Sequence, residues 1–178
     1  MNIKRFILLN ILFPIFLQST VAQSFSNDHS YLLGKYSIEV YAPDDSGNWK
    51  RAGDGKATFE SILDGKFIRE KSEATHSGYP LTMDVTMGTD GKTQRTKLLA
   101  LDKEYSSFDI YEKVAADDGI KFANLDSDPF ITEDGQKMYF QLHYKFLDDD
   151  SNELIVMFSM NEGISWKPYA KYLYKRNE

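Results

Sequence analysis

The chain has no cysteine in its 178 residues. That excludes disulfides, thiolate metal sites, cysteine nucleophiles and a lipid-modified N-terminal cysteine. Basic charge is also short: 21 Lys and Arg stand against 27 Asp and Glu, a net charge of −6. This balance argues against nucleic acid, which is bound through a basic face, and against docking on anionic lipid. No Gly-x-Ser-x-Gly elbow, phosphate loop or dinucleotide fingerprint occurs, so the familiar hydrolase, kinase and dehydrogenase signatures are missing. There is no Asn-x-Ser/Thr sequon, which fits a bacterial source. Sustained helical periodicity is absent after residue 22.

Only one long apolar run exists, Phe6–Leu17, interrupted by Asn10. It follows Lys4 and Arg5 and leads to Thr20 and Ala22, small residues at the −3 and −1 positions of a cut before Gln23. A charged start, a short apolar core and small residues before the cut define a signal peptide over 1–22. The run is shorter than the roughly 20 residues needed to span a bilayer. Its removal takes Lys4 and Arg5 away and leaves an exported product, periplasmic or secreted, with no stable membrane insertion. Residues 23–31 are polar and read as a flexible leader; a short helix within Asn27–Leu33 is compatible with them. A single domain is expected over 32–178.

What is plentiful is aromatic: 11 Tyr and 12 Phe, residues that favour pleated, half-buried surfaces. Around Asp64-Gly65 the chain reads as two strands joined by a tight turn, because that dipeptide tolerates positive φ. Asp90-Gly91 gives a second such turn. Tyr36, Ile38 and Val40 alternate with Lys35, Ser37 and Glu39. Leu81, Met83, Val85 and Met87 alternate with Thr82, Asp84 and Thr86. Met138, Phe140, Leu142, Tyr144 and Phe146 share one face of a later strand, opposite Tyr139, Gln141, His143 and Lys145. About ten strands at short, regular spacing predict an all-β domain. An open sheet of that size leaves two unpaired edges, which invite aggregation. The expected fold is therefore a single antiparallel up-and-down β-barrel of about 8–10 strands, closed by pairing Gly34–Val40 with Pro168–Lys175. Gly53 and Gly55 are expected to let their strand bend sharply.

Three motifs carry a resemblance. Leu33-Gly34-Lys35-Tyr36 resembles the Gly-x-Trp opening of calycin-type proteins, with Tyr for Trp. Ile62-Leu63-Asp64-Gly65-Lys66-Phe67-Ile68, and Met160-Asn161-Glu162-Gly163-Ile164-Ser165-Trp166-Lys167-Pro168, are similar to a hairpin and an ending of the exported bacterial family catalogued as domain of unknown function 1579. The resemblance implies a lipocalin-like barrel with a hollow interior, and no defined reaction. In lipocalins an Arg of the final strand covers the aromatic of the opening motif; Arg176 or Lys175 over Tyr36 would match.

The candidate pocket residues are Tyr36, Phe59, Arg69, Met83, Tyr139, His143 and Trp166. Met87, Met138, Met157 and Met160 add adaptable apolar surface, as pocket lining or simply as core. A calycin relative binds haem through one axial His, and His143 is the one position that would copy it; a polar outward face is the favoured reading. His29 and His76 read as solvated. The acidic runs Asp148–Asp150 and Asp126–Asp128 lack the alternation and Gly of a calcium loop and read as turns. No catalytic residue, metal or cofactor is indicated. The leading expectation is a small apolar ligand held in the barrel. The alternatives are a hydrolase or isomerase using Arg69, Tyr139 or His143, and a structural or interaction module of the cell envelope.

Overall fold

Strand β1 (Gly34–Pro43) buries Tyr36, Ile38 and Val40 and turns Lys35 and Ser37 to solvent. This period of two is that of a pleated strand with one wet face. It recurs along β2 (Trp49–Ile62), β3 (Phe67–His76), β4 (Tyr79–Thr89), β5 (Thr96–Asp102) and β6 (Ser107–Val114). It continues through β7 (Ile120–Ala123), β9 (Lys137–Asp148), β10 (Ser151–Ser159) and β11 (Lys167–Arg176). A two-residue strand β8 (Phe130–Ile131) pairs with the start of β9. The structure is a computed structural model and describes residues 24–177; the signal peptide expected at 1–22 lies outside the described residues.

Each strand pairs antiparallel with its sequence neighbour, and β7 passes directly to β9. The ring is sealed by β1 on β11, with Tyr36 opposite Arg176 and Tyr41 opposite Lys171. The result is a closed antiparallel barrel of ten strands, the fold class read from the sequence. Closure removes both sheet edges. Between β6 and β9 the wall is thin: β7 meets β6 only from Glu112 to Val114. Beyond Ala123 a loop takes over, tied to β6 by the Ser127 hydroxyl donating to Ile110 O at 2.6 Å.

Two local expectations are corrected. The turn after β2 is four residues, Leu63–Lys66, not two, because Ile62 pairs directly with Phe67. Leu63, Asp64 and Gly65 all take positive φ, at 51°, 58° and 80°. The segment expected as a loose leader is packed where it is described. Helix α1 (Phe25–Asp28) and a 3₁₀ turn (Ser30–Leu32) fold over one end of the barrel and bury Phe25 and Leu32. Ser26 N donates to Gly65 O at 3.0 Å, and Ser24 Oγ donates to the same oxygen at 2.8 Å. A Cβ on Gly65 would lie 2.3 Å from Ser24 Oγ, so the docking needs glycine there.

The plugged end is locked by Tyr36 and Arg176. The guanidinium carbon of Arg176 sits 5.0 Å from the centre of the Tyr36 ring. Its Nη1 and Nη2 donate to the carbonyls of Leu33 (2.7 Å) and Tyr31 (3.3 Å). Behind Tyr36, the rings of Phe59 and Tyr174 meet it edge to face at 5.7 and 6.0 Å. Such pairs each contribute about 0.5–1.5 kcal/mol beyond the area they bury.

Candidate functional site

Above this aromatic floor the barrel is hollow. An internal cavity of about 410 Å³ opens at the end formed by the β5–β6 turn and β8. Its size falls within the roughly 300–1,000 Å³ of small-molecule sites. Its apolar wall comes from Ile38, Leu81, Met83, Val85, Met138 and Leu142, all on inward positions. Tyr105, Phe130 and Phe140 stand with Tyr169 nearer the mouth; the Tyr105 and Phe130 rings meet at 6.4 Å.

The inner polar group is Glu70, which is 2% exposed. It follows Ile68 by two residues on β3, so the pleat that buries Ile68 also turns Glu70 inward. Tyr144 and Tyr174 each donate a phenol hydrogen to one of its oxygens, both at 2.9 Å. Burial holds the Glu70 carboxyl above the usual carboxylate range, against the bonds from Tyr144, Tyr174 and Ser72 that favour its charged form. Burial likewise pushes both phenols well above their ordinary value, with the neighbouring Glu70 adding to it.

Two more carboxylates line the cavity, Asp102 and Asp109. Ala100 faces Asp109 across β5 and β6, and Asp102 faces Ser107. The two acids are therefore diagonal neighbours on the inner face, with Cβ atoms roughly 7–8 Å apart or less. Asp109 is raised by burial and then by the Asp102 charge. Asp102 accepts the Tyr105 N–H at 3.0 Å. His76 also lines the cavity, its ring 5.6 Å from that of Tyr169. Burial lowers its pKa and so favours its neutral form. The sequence predicts a solvated ring; the alternation of β3 that turns Glu70, Ser72 and Ala74 inward instead carries His76 to the same face.

The sequence-derived candidates separate. Met83 lines the cavity, with Met138. Tyr36 and Phe59 are fully or nearly buried in the floor and do not line the cavity. Arg69 points outward, where its Nε donates to Asp84 Oδ1 at 2.8 Å. His143 also faces out, its Nε2 2.7 Å from Asp118 O and 3.1 Å from Asp118 Oδ1. Tyr139 shares the outer face of β9, and half-buried Trp166 precedes β11. Neither of these two lines the cavity. Met87 is buried below the cavity and Met160 lies at the surface. Glu70, Asp109, Tyr111, Tyr144, Tyr172 and Tyr174 were not singled out, although counting by twos from Ile68 reaches Glu70.

Two other features hold no comparable chemistry. A depression of about 480 Å³ on the outer wall is lined by Lys35, Lys56, Lys71 and Lys103 among acidic partners, including the Lys56–Glu73 ion pair at 3.1 Å. It is an open groove whose lining residues are mostly charged or polar, with Tyr36, Ala57, Met83 and Leu101 among them. Asp148 accepts from the Asp150 N–H at 3.0 Å and from the Ser151 hydroxyl at 2.7 Å, a turn cap. Among the described residues no group of three or more His, Asp or Glu is placed to hold a metal ion, and no helix is long and apolar enough to cross a membrane.

Comparison with known proteins bears on the fold alone. The crystal structure of Rv2717c from M. tuberculosis is similar, with a TM-score of 0.57 and 10% identity over 86% of this chain and 97% of that one. A redesigned β-barrel, b11L5F_LGL, aligns with a TM-score of 0.44 and 10% identity over 84% of this chain and 94% of that one. No family model matches the sequence, and no curated protein matches it significantly.

Proposed function

We propose that this protein is an exported barrel that holds one small, mostly apolar molecule. The observation that carries the reading is the internal cavity of about 410 Å³, apolar on most of its wall and reachable from one end. Sites of this kind bury most of a ligand's surface and use a few polar groups to fix its orientation. The signal-like N-terminus supports export to the periplasm or beyond. The motifs shared with the domain of unknown function 1579 family belong to the same reading, which assigns no reaction. A structural module without a pocket would have no use for this hollow.

The test is native mass spectrometry of the purified protein, backed by titration with the neutral fluorophore N-phenyl-1-naphthylamine. A retained species or a saturable fluorescence rise is expected. Val85→Trp, which fills the cavity, should abolish both. A protein that carries nothing and binds the probe no better than Val85→Trp does would end the proposal.

Catalysis inside the barrel is a second reading. Glu70, a buried carboxyl with a raised pKa at the base of the cavity, favours it, and Asp109 is a second raised carboxyl on the same wall.

A further inference from the structure

The cavity has a chemical bias beyond its apolarity. Its wall carries three carboxyl groups, Glu70, Asp102 and Asp109, and no Lys or Arg. The one basic ring, His76, is pressed toward its neutral form by burial. Uncompensated like charges on one inner face repel, and low-dielectric walls strengthen the field they project.

An independent observation lies beside them. Tyr111 and Tyr172 also line the cavity, and they are only 5% and 8% exposed. Among the described residues neither hydroxyl has a hydrogen-bond partner, whereas Tyr144 and Tyr174 are both bonded to Glu70. A buried phenol is ordinarily hydrogen-bonded, so two open ones facing one space mark a place for a polar group of something else. Tyr172 lies within the electrostatic reach of Glu70 and Asp102, and Tyr111 within that of Asp109. The Asp109 carboxyl makes no side-chain hydrogen bond to another described residue, although its backbone pairs with Ala100.

An ammonium group fits all of this. It has three donors and no acceptor. It can give hydrogens to phenol oxygens and carboxylates together, and its charge is attracted to the faces of tyrosine rings. A carboxylate or phosphate head would meet three carboxyl groups and no Lys or Arg. We propose that the molecule this barrel holds is an organic cation, a small aromatic or aliphatic amine whose ammonium sits between Asp109, Asp102 and the free hydroxyls of Tyr111 and Tyr172 while its apolar body fills the hollow. The proposal rests on the ligand-binding reading above and narrows it to one class.

The experiment is calorimetric titration of the purified protein at pH 7 and low salt with three probes of one shape: 1-naphthylmethylamine, 1-naphthylmethanol and 1-naphthoate. The amine should bind at least about tenfold more tightly than the alcohol, and naphthoate should bind weakest. Asp109→Asn should remove most of that advantage and leave affinity for the alcohol within about twofold, because the lost interaction is with charge. Asp102→Asn, which can keep the bond to the Tyr105 N–H, is a second variant and should act in the same direction. Alcohol and amine binding equally, naphthoate binding best, or an amine preference untouched in both variants would overturn the cation while leaving an apolar ligand in place. Failure of all three probes to bind would remove both readings.

Discussion

Glu70 is held by two phenols at the base of the cavity, and its proton is coupled to folding. Its folded pKa is raised above the unfolded value, so protonation favours the folded state. The contribution is fully present below the unfolded pKa and is lost as pH rises through the folded one. Asp109, raised as well, acts in the same direction. His29, His76 and His143 have lowered pKa values and act in the opposite one, adding stability as pH rises through the ordinary His range. Glu70→Gln isolates the first effect, since the amide keeps one acceptor and one donor for the two tyrosines. The urea midpoint of the wild type minus that of Glu70→Gln should fall as pH rises above the ordinary Glu range. A flat difference would show that Glu70 titrates alike in both states. At the plugged end, Arg176→Ala removes guanidinium bonds to the carbonyls of Leu33, Tyr31 and Asp149. The expected loss is about 1–3 kcal/mol in chemical denaturation, since these bonds carry charge. Affinity for any cavity probe should stay unchanged, because Arg176 does not line the cavity.

At the scale of the element, β2 lies close against the β3 backbone at Gly53 and Gly55. A Cβ on Gly53 would lie 2.0 Å from Thr75 O, and one on Gly55 would lie 2.4 Å from Glu73 O. Opposite this stretch the β1–β2 register shifts between Val40 and Tyr41, as at a bulge. Gly55→Ala should cost about 1–3 kcal/mol, the range for forcing atoms into a packed site, read from thermal or urea unfolding. The thin wall between β6 and β9 has a different consequence. Tyr105 and Phe130 face each other beside it. Replacing both with Ala should speed release of a bound fluorophore in stopped-flow displacement and leave the unfolding midpoint nearly unchanged, since both residues are exposed. The strands themselves were legible where apolar and polar residues alternate, as in β1, β4 and β9. The site was not. Its acids lie on inward positions that a strand pattern reserves for apolar side chains. On β6, Phe108 and Ile110 are the exposed residues while Asp109 and Tyr111 face the cavity. Nothing in Phe108-Asp109-Ile110-Tyr111 alone says which pair faces in.

For the whole molecule, ring closure follows from strand number and edge protection, and so it was legible before any coordinates. The packed segment before β1 was not, because its polar residues are satisfied by Gly65 and Ser61 far along the chain. The first and last strands of the barrel lie side by side, as far as Asn177 N, which donates to Lys35 O at 2.8 Å. Joining residue 177 to residue 24 by a flexible linker long enough to cross the plugged end, and opening the chain at Gly91, should preserve cooperative unfolding and probe binding. Deleting β11 should abolish both and lead to aggregation, because it unpairs β1 and β10 at once and exposes two edges.

The same seam sets an order of events. The barrel's first strand waits for its last, a contact of long sequence separation that forms slowly. Until they meet, the wall is an open curl and the inner acids and phenols are wet. The pocket therefore exists only once the seam has closed, and a guest reaches it afterwards through the open end.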